Sequence, residues 1–147
     1  VGQVLVHPNS RNVIPGRVKF TVDFRHADAQ GLARMEAALR AAVAEVTVPG
    51  IEITVEQVVE YAPTPFDEGL RALISAGAER AGLSQMALAS GAGHDAVYVA
   101  RTAPAAMIFV PCKDGISHNE IEDARPEHLE AGANVLLHAM LARAGVA

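Results

Sequence analysis

The tripeptide Pro63-Thr64-Pro65 constrains this chain more than any other stretch. Proline has no backbone N–H, holds φ near about −65°, and pushes the residue before it toward extended conformations. Neither a helix nor a central strand runs through two such residues. We therefore read residues 1–62 and 63–147 as two separately organised regions.

The first region carries sheet and helix periodicities in a definite order. Val4 to Val6 has the character of a short strand, turned by Pro8-Asn9-Ser10. From Arg17 to Phe24 the residues alternate. Val18, Phe20, Val22 and Phe24 share one face, and Arg17, Lys19, Thr21 and Asp23 share the other. Asp28 is placed to cap a helix over about Ala29 to Val46, with Leu32, Met35, Leu39 and Val43 on one side. Pro49-Gly50 stops it, and Ile51, Ile53 and Val55 alternate with Glu52, Thr54 and Glu56 as a third strand. The expected layout is β-β-α-β, a helix on one face of a small antiparallel sheet. That is a ferredoxin-like unit without its first strand and helix.

The second region alternates helix and strand. Asp67 is an N-cap candidate for a helix through Ala81, ended by Gly82. Met86 to Ala89 and Ala105 to Val110 read as buried strands, with a short helix around Ala96 to Arg101 between them. Pro126 suits the first turn of a last helix whose Leu129, Ala133, Leu136, Leu137 and Met140 face a core. Strands without a polar face imply a sheet covered on both sides. The fold class is thus α+β followed by α/β.

Composition narrows the function. A formal net charge of −5 lacks the basic footprint of nucleic-acid binding. No apolar run reaches the roughly 18 residues of a membrane-spanning helix. Cys112, the single cysteine, rules out an internal disulfide and suits a reducing cytoplasm. The chain opens on Val1 with no polar lead-in, which we read as a cut inside a longer protein.

Three polar clusters lie where ligands commonly bind, in loops beside strands. In Gly115-Ile116-Ser117-His118-Asn119-Glu120, a neutral imidazole suits a metal, with Asp114 and Glu120 as candidate partners; the alternative is a surface loop with an ordinary histidine. In Ser90-Gly91-Ala92-Gly93-His94-Asp95, two glycines allow close backbone approach to a ligand and His94 projects from the strand end. The alternative there is a tight turn with Asp95 capping the helix, and both readings can hold together. Asn9-Ser10-Arg11-Asn12 with Arg25-His26 forms a carboxylate receptor if Asn12 and Arg25 approach one another; otherwise it is a polar turn beside a solvated Arg. His7, His128 and His138 carry no such pattern. Cys112 reads as a small buried residue rather than a nucleophile.

Taken together, these motifs resemble a known group. Pro8-Asn9-Ser10-Arg11-Asn12-Val13-Ile14-Pro15-Gly16, Asp23-Phe24-Arg25-His26, Ser90-Gly91-Ala92-Gly93-His94-Asp95-Ala96, and Phe109-Val110-Pro111-Cys112 leading into Gly115 to Glu120 are similar to the N-carbamoyl-L-amino-acid hydrolase, β-ureidopropionase and allantoate amidohydrolase group. This group lies within the metallopeptidase-like aminoacylase family. The resemblance implies a cytoplasmic enzyme with a catalytic α/β domain and an inserted lid through which it forms a homodimer. Residues 1–62 correspond to part of the lid and 63–147 to the C-terminal part of the catalytic domain.

The resemblance also implies roles for individual residues. His118 matches a metal-ligand histidine, and Asn12 and Arg25 match lid residues that bind a substrate carboxylate. His94 matches a catalytic, substrate-side histidine, and Gly91, Ala92 and Gly93 match pocket-lining backbone. Two divalent ions (zinc, manganese, cobalt or nickel) are implied. So is hydrolysis of a linear, non-peptide C–N bond in a carbamoyl or ureido substrate bearing a carboxylate. The group's remaining metal ligands and catalytic glutamate are absent from these 147 residues, so the chain alone is expected to be inactive. Two rival readings stand beside this one: a peptidase or aminoacylase relative, and a non-catalytic dimerising fragment.

Overall fold

The computed structural model describes residues 1–46 and 48–146. They fall into two compact units, Val1–Pro63 and Thr64–Ala147.

In the first unit, β1 (Gln3–His7) pairs antiparallel with β2 (Arg17–Thr21), with Val4 opposite Phe20 and Val6 opposite Val18. Gly16 N–H donates to the His7 carbonyl at 2.9 Å, which closes the connection between the strands. Helix α1 (Ala29–Glu45) starts where expected. The Asp28 carboxylate accepts from Gly31 N–H at 2.7 Å, and so satisfies one of the donors that a first helical turn leaves unpaired.

Two expectations for this unit fail. Ile51 to Glu56 is not a strand, since the only ladder among the described residues joins β1 to β2. Nor does α1 pack on the hairpin. Val18 and Phe20 remain 52% and 57% exposed, so the face that alternation marks as apolar is not covered here. Alternation depends only on the chain's own pleat, whereas a ladder needs a second backbone to accept it.

The second unit is built on α2 (Glu68–Arg80) and α4 (Pro126–Ala144), which pack together. Asp67 caps α2 by accepting from Leu70 N–H at 2.8 Å, Pro126 stands in the first turn of α4, and left-handed Gly145 (φ 72°) ends α4. At the crossing Gly77 is buried, and a side chain there would meet Val135 and the His138 Cβ. Asp67 N–H donates to the Ala105 carbonyl at 2.9 Å and ties segment 105–110 to the start of α2. In chain order the short helix α3 (Asp95–Val99) comes between α2 and α4.

The covered face of α4 differs from the expected one. Val135 and Ala139 are buried, while Leu129, Leu136, Leu137 and Met140 are half exposed or more. Leu129, Leu136 and Met140 instead line an open apolar groove of about 650 Å³ together with Leu70, Ile74 and Ile108. Segments 86–89 and 105–110 join no ladder, so the two strands expected there do not form among the described residues. No helix among them is long and apolar enough to cross a membrane.

Two outcomes test this packing. A Cβ on Gly132 of α4 would lie 2.7 Å from Val110 Cγ1, a stiff β-branched side chain. Gly132→Ala is therefore expected to lower the melting temperature, despite the roughly 1 kcal/mol that alanine gains over glycine in a free helix. Adding Val110→Ala should recover part of that loss. The second outcome concerns Asp28. Its pKa is lowered from 3.8, first by the Gly31 N–H and then by nearby His26 and Arg34. A depressed carboxylate stabilises the fold above its ordinary value, and the contribution is lost as pH falls through the depressed one. Asp28→Asn keeps a cap, so its unfolding curve should lose part of the wild type's dependence on pH below about 4.

Candidate functional site

The sequence-selected residues divide between the two units: Asn12 and Arg25 in the first, His94 and His118 in the second.

In the first unit each candidate is held by a neighbour two residues away. Ser10 Oγ donates to the Asn12 side-chain carbonyl at 2.8 Å, which leaves the Asn12 amide N–H groups directed elsewhere. Asp23 takes the Arg25 guanidinium in a fork, Nε to Oδ1 at 3.0 Å and a terminal nitrogen to Oδ2 at 2.6 Å. Sequence reading placed Asp23 only on the polar face of a strand and missed this pairing. Its two-residue spacing from Arg25 was the available signal. The hydrogen bonds and charge of Arg25 lower the Asp23 pKa, and Asp23 in turn raises that of Arg25. Both side chains are more than 60% exposed, so the pair fixes orientation more than it stabilises the fold. Beside it, His26 Nδ1 lies 3.0 Å from Asp28 Oδ2, and its ring sits against Gly31 where any side chain would stand.

In the second unit the loop 90–94 turns tightly before α3. His94, rather than Asp95, is the N-cap of that helix, and Asp95 is its first residue. The His94 side chain caps nothing. It is half-buried, its Nε2 is 2.6 Å from Ser90 Oγ, and its ring stands 5.5 Å from that of Phe109, tilted by 58°. Ser90 also accepts from Ala92 N–H at 3.2 Å. Sequence reading quoted Ser90 as part of the motif but gave it no role.

His118 stands on the loop between segment 105–110 and α4. Lys113 N–H donates to the Asp123 carbonyl at 2.7 Å and draws the two ends of this loop together, with a helical turn at Lys113–Gly115. Asp114 and His118 both have left-handed backbone, at φ 55° and 56°. Such a conformation costs on the order of 1–3 kcal/mol outside glycine, and it persists only where surrounding bonds impose it. Here Glu122 accepts from His118 N–H at 2.8 Å, and Asn119 accepts from Ile121 and Glu122 N–H. The partner of His118 is thus Glu122 acting on the backbone, not Asp114 or Glu120 acting on the ring. The exposed His118 imidazole remains available as a ligand. Among the described residues no three His, Cys, Asp or Glu side chains come together to hold a metal ion, so they form no metal centre by themselves.

Comparison with known proteins places these loops in context. The chain is 45% identical, over 99% of its length, to an N-carbamoyl-L-amino-acid amidohydrolase of Rhizobium meliloti, of which it covers 35%. It is 36% identical, over 92% of its length, to an allantoate amidohydrolase of Bacillus subtilis, of which it covers 33%. A crystal structure of an amidase of the hydantoinase/carbamoylase family from Burkholderia multivorans superposes with a TM-score of 0.91 at 59% identity, over 97% of this chain and 35% of that one. The chain therefore spans about a third of the length of these relatives. Residues 3–142 match the family described as Peptidase family M20/M25/M40, and the chain belongs to it.

Proposed function

We propose that these residues serve a metal-dependent amidohydrolase that cleaves the carbamoyl or ureido C–N bond of N-carbamoyl amino acids or allantoate. The activity would belong to a longer protein of which the 147 residues are a part. The observation that carries this reading is the 45% identity, across 99% of the chain, to an N-carbamoyl-L-amino-acid amidohydrolase. On this reading residues 1–62 belong to a lid that also forms a homodimer, and 63–147 to the catalytic domain. The single cysteine is in keeping with a cytoplasmic setting.

The chain's own residues then take distinct parts. Arg25 offers a planar fork of donors, and Asn12 an amide, to the substrate carboxylate. For Arg25 to do so with both arms, the substrate must displace or share the Asp23 carboxylate that now faces it. The Gly91 to Gly93 backbone lines the pocket. His94 presents a ring N–H toward charge developing on the scissile carbonyl. His118 supplies one nitrogen toward a divalent ion, and the remaining ligands must come from residues other than those described here. Such an ion, when bound, acidifies water and polarises the carbonyl.

A second reading, a non-catalytic module that associates through its apolar faces, draws on exposed Phe20, Leu136 and Met140. Activity of the longer protein separates the two.

The 147-residue chain is expected to show no turnover of N-carbamoyl amino acids or allantoate, measured by release of ammonia or of the amino acid. Turnover that a chelator abolishes would overturn the assignment of missing ligands. In the longer protein, Arg25→Lys should raise KM for carboxylate-bearing substrates about ten-fold or more, because a point charge replaces a bidentate fork. Metal content by elemental analysis should not change. Loss of metal instead would show that Arg25 has been given the wrong role.

A further inference from the structure

We propose that Ser90 is a positioning residue for His94, which fixes its tautomer and makes Nδ1 the nitrogen that faces substrate. The inference rests on the reading of His94 as a substrate-side group.

The argument begins with hydroxyl bookkeeping. A serine oxygen has one hydrogen to give and two lone pairs to accept with. Ala92 N–H, in the glycine-flanked turn, occupies one lone pair of Ser90 Oγ at 3.2 Å. That bond anchors the oxygen from the backbone side. His94 Nε2 lies 2.6 Å away, a short O–H···N separation. Ser90 Oγ keeps one hydrogen to give, no other acceptor for it lies among the described residues, and the proposal directs it to Nε2. An imidazole that accepts at Nε2 carries its proton on Nδ1 when neutral.

The ring is fixed in a second way. Phe109, from segment 105–110, stands against it at 5.5 Å between centroids. One contact sets the ring plane, and the other sets the rotation within it. Nδ1 has no hydrogen-bond partner among the described residues, although His94 begins α3, where side chains often cap. A donor of fixed tautomer, held on two sides and otherwise uncommitted, suits an oxygen that gains negative charge during reaction. A histidine free to swap tautomers would present a lone pair to that oxygen for part of the time.

The test uses the full-length enzyme with Ser90→Ala, Ser90→Thr and His94→Ala. It measures kcat and KM on an N-carbamoyl amino acid across pH, metal content, and the imidazole nitrogen NMR signals of selectively labelled histidine. Ser90→Ala is expected to lower kcat about ten-fold, the scale of one hydrogen bond, with KM and metal content held. The His94 signals should lose the pattern of protonated Nδ1 with accepting Nε2, and the acidic limb of the kcat profile should move. Ser90→Thr, which keeps the hydroxyl, should restore all three. If His94→Ala is inactive while Ser90→Ala keeps wild-type kcat and nitrogen signals, the Ser90 role is overturned and the reading of His94 stands. A loss in Ser90→Ala that Ser90→Thr does not repair, with the tautomer unchanged, also overturns it as a merely structural effect. Wild-type activity in His94→Ala overturns the reading of His94 itself, and the proposal with it.

Discussion

The close approach of α2 and α4 at Gly77 organises the second unit. Val135 and the His138 Cβ face α2 at Gly77, and Gly77, Ala78, Val135 and Ala139 are buried on these two helices. The crossing also anchors the loops. Asp67, which caps α2, donates its N–H to Ala105 and so sets the start of segment 105–110. That segment presents Phe109 to His94 and leads into the loop that carries His118. Packing between two helices thus places polar groups that neither helix contains. Dispersion and burial supply the rigidity, and the loops convert it into position.

The candidate site residues are held mainly by local bonds. Ser90 to His94, Asp23 to Arg25, Ser10 to Asn12 and Glu122 to His118 all join residues two or four positions apart. Bonds of this kind need little tertiary support, so the side chains keep their attitude where the apolar surroundings are thin. Most are exposed, and each contributes little to stability. Their effect is on geometry. The left-handed backbone at His118 makes the same point, since its strain is sustained by bonds from Glu122 and Asn119 within the loop.

The apolar faces behave differently. Val18 and Phe20 on the hairpin, and Leu129, Leu136 and Met140 on α4, are the residues periodicity marks for a core, yet they stand largely open. Hydrophobic pattern states which residues share a face. It does not state what covers that face, because the covering element lies at a distance in sequence or in another segment. Unpaired segments 51–56, 86–89 and 105–110 follow the same rule, since their strand character needs a partner backbone to become a ladder.

What the sequence determined by itself was local. The caps at Asp28 and Asp67, Pro126 in the first turn of α4, and the first hairpin all follow from backbone sterics and nearby donors. The polar clusters around His94 and His118 could be proposed from sequence because their residues lie within a few positions of one another. Tertiary structure alone decided which face of α4 is covered, that Phe109 stands against His94, and that α1 does not lie on the hairpin. Contacts of this second kind depend on where separate segments, or successive turns, arrive in space, and no short-range pattern encodes that.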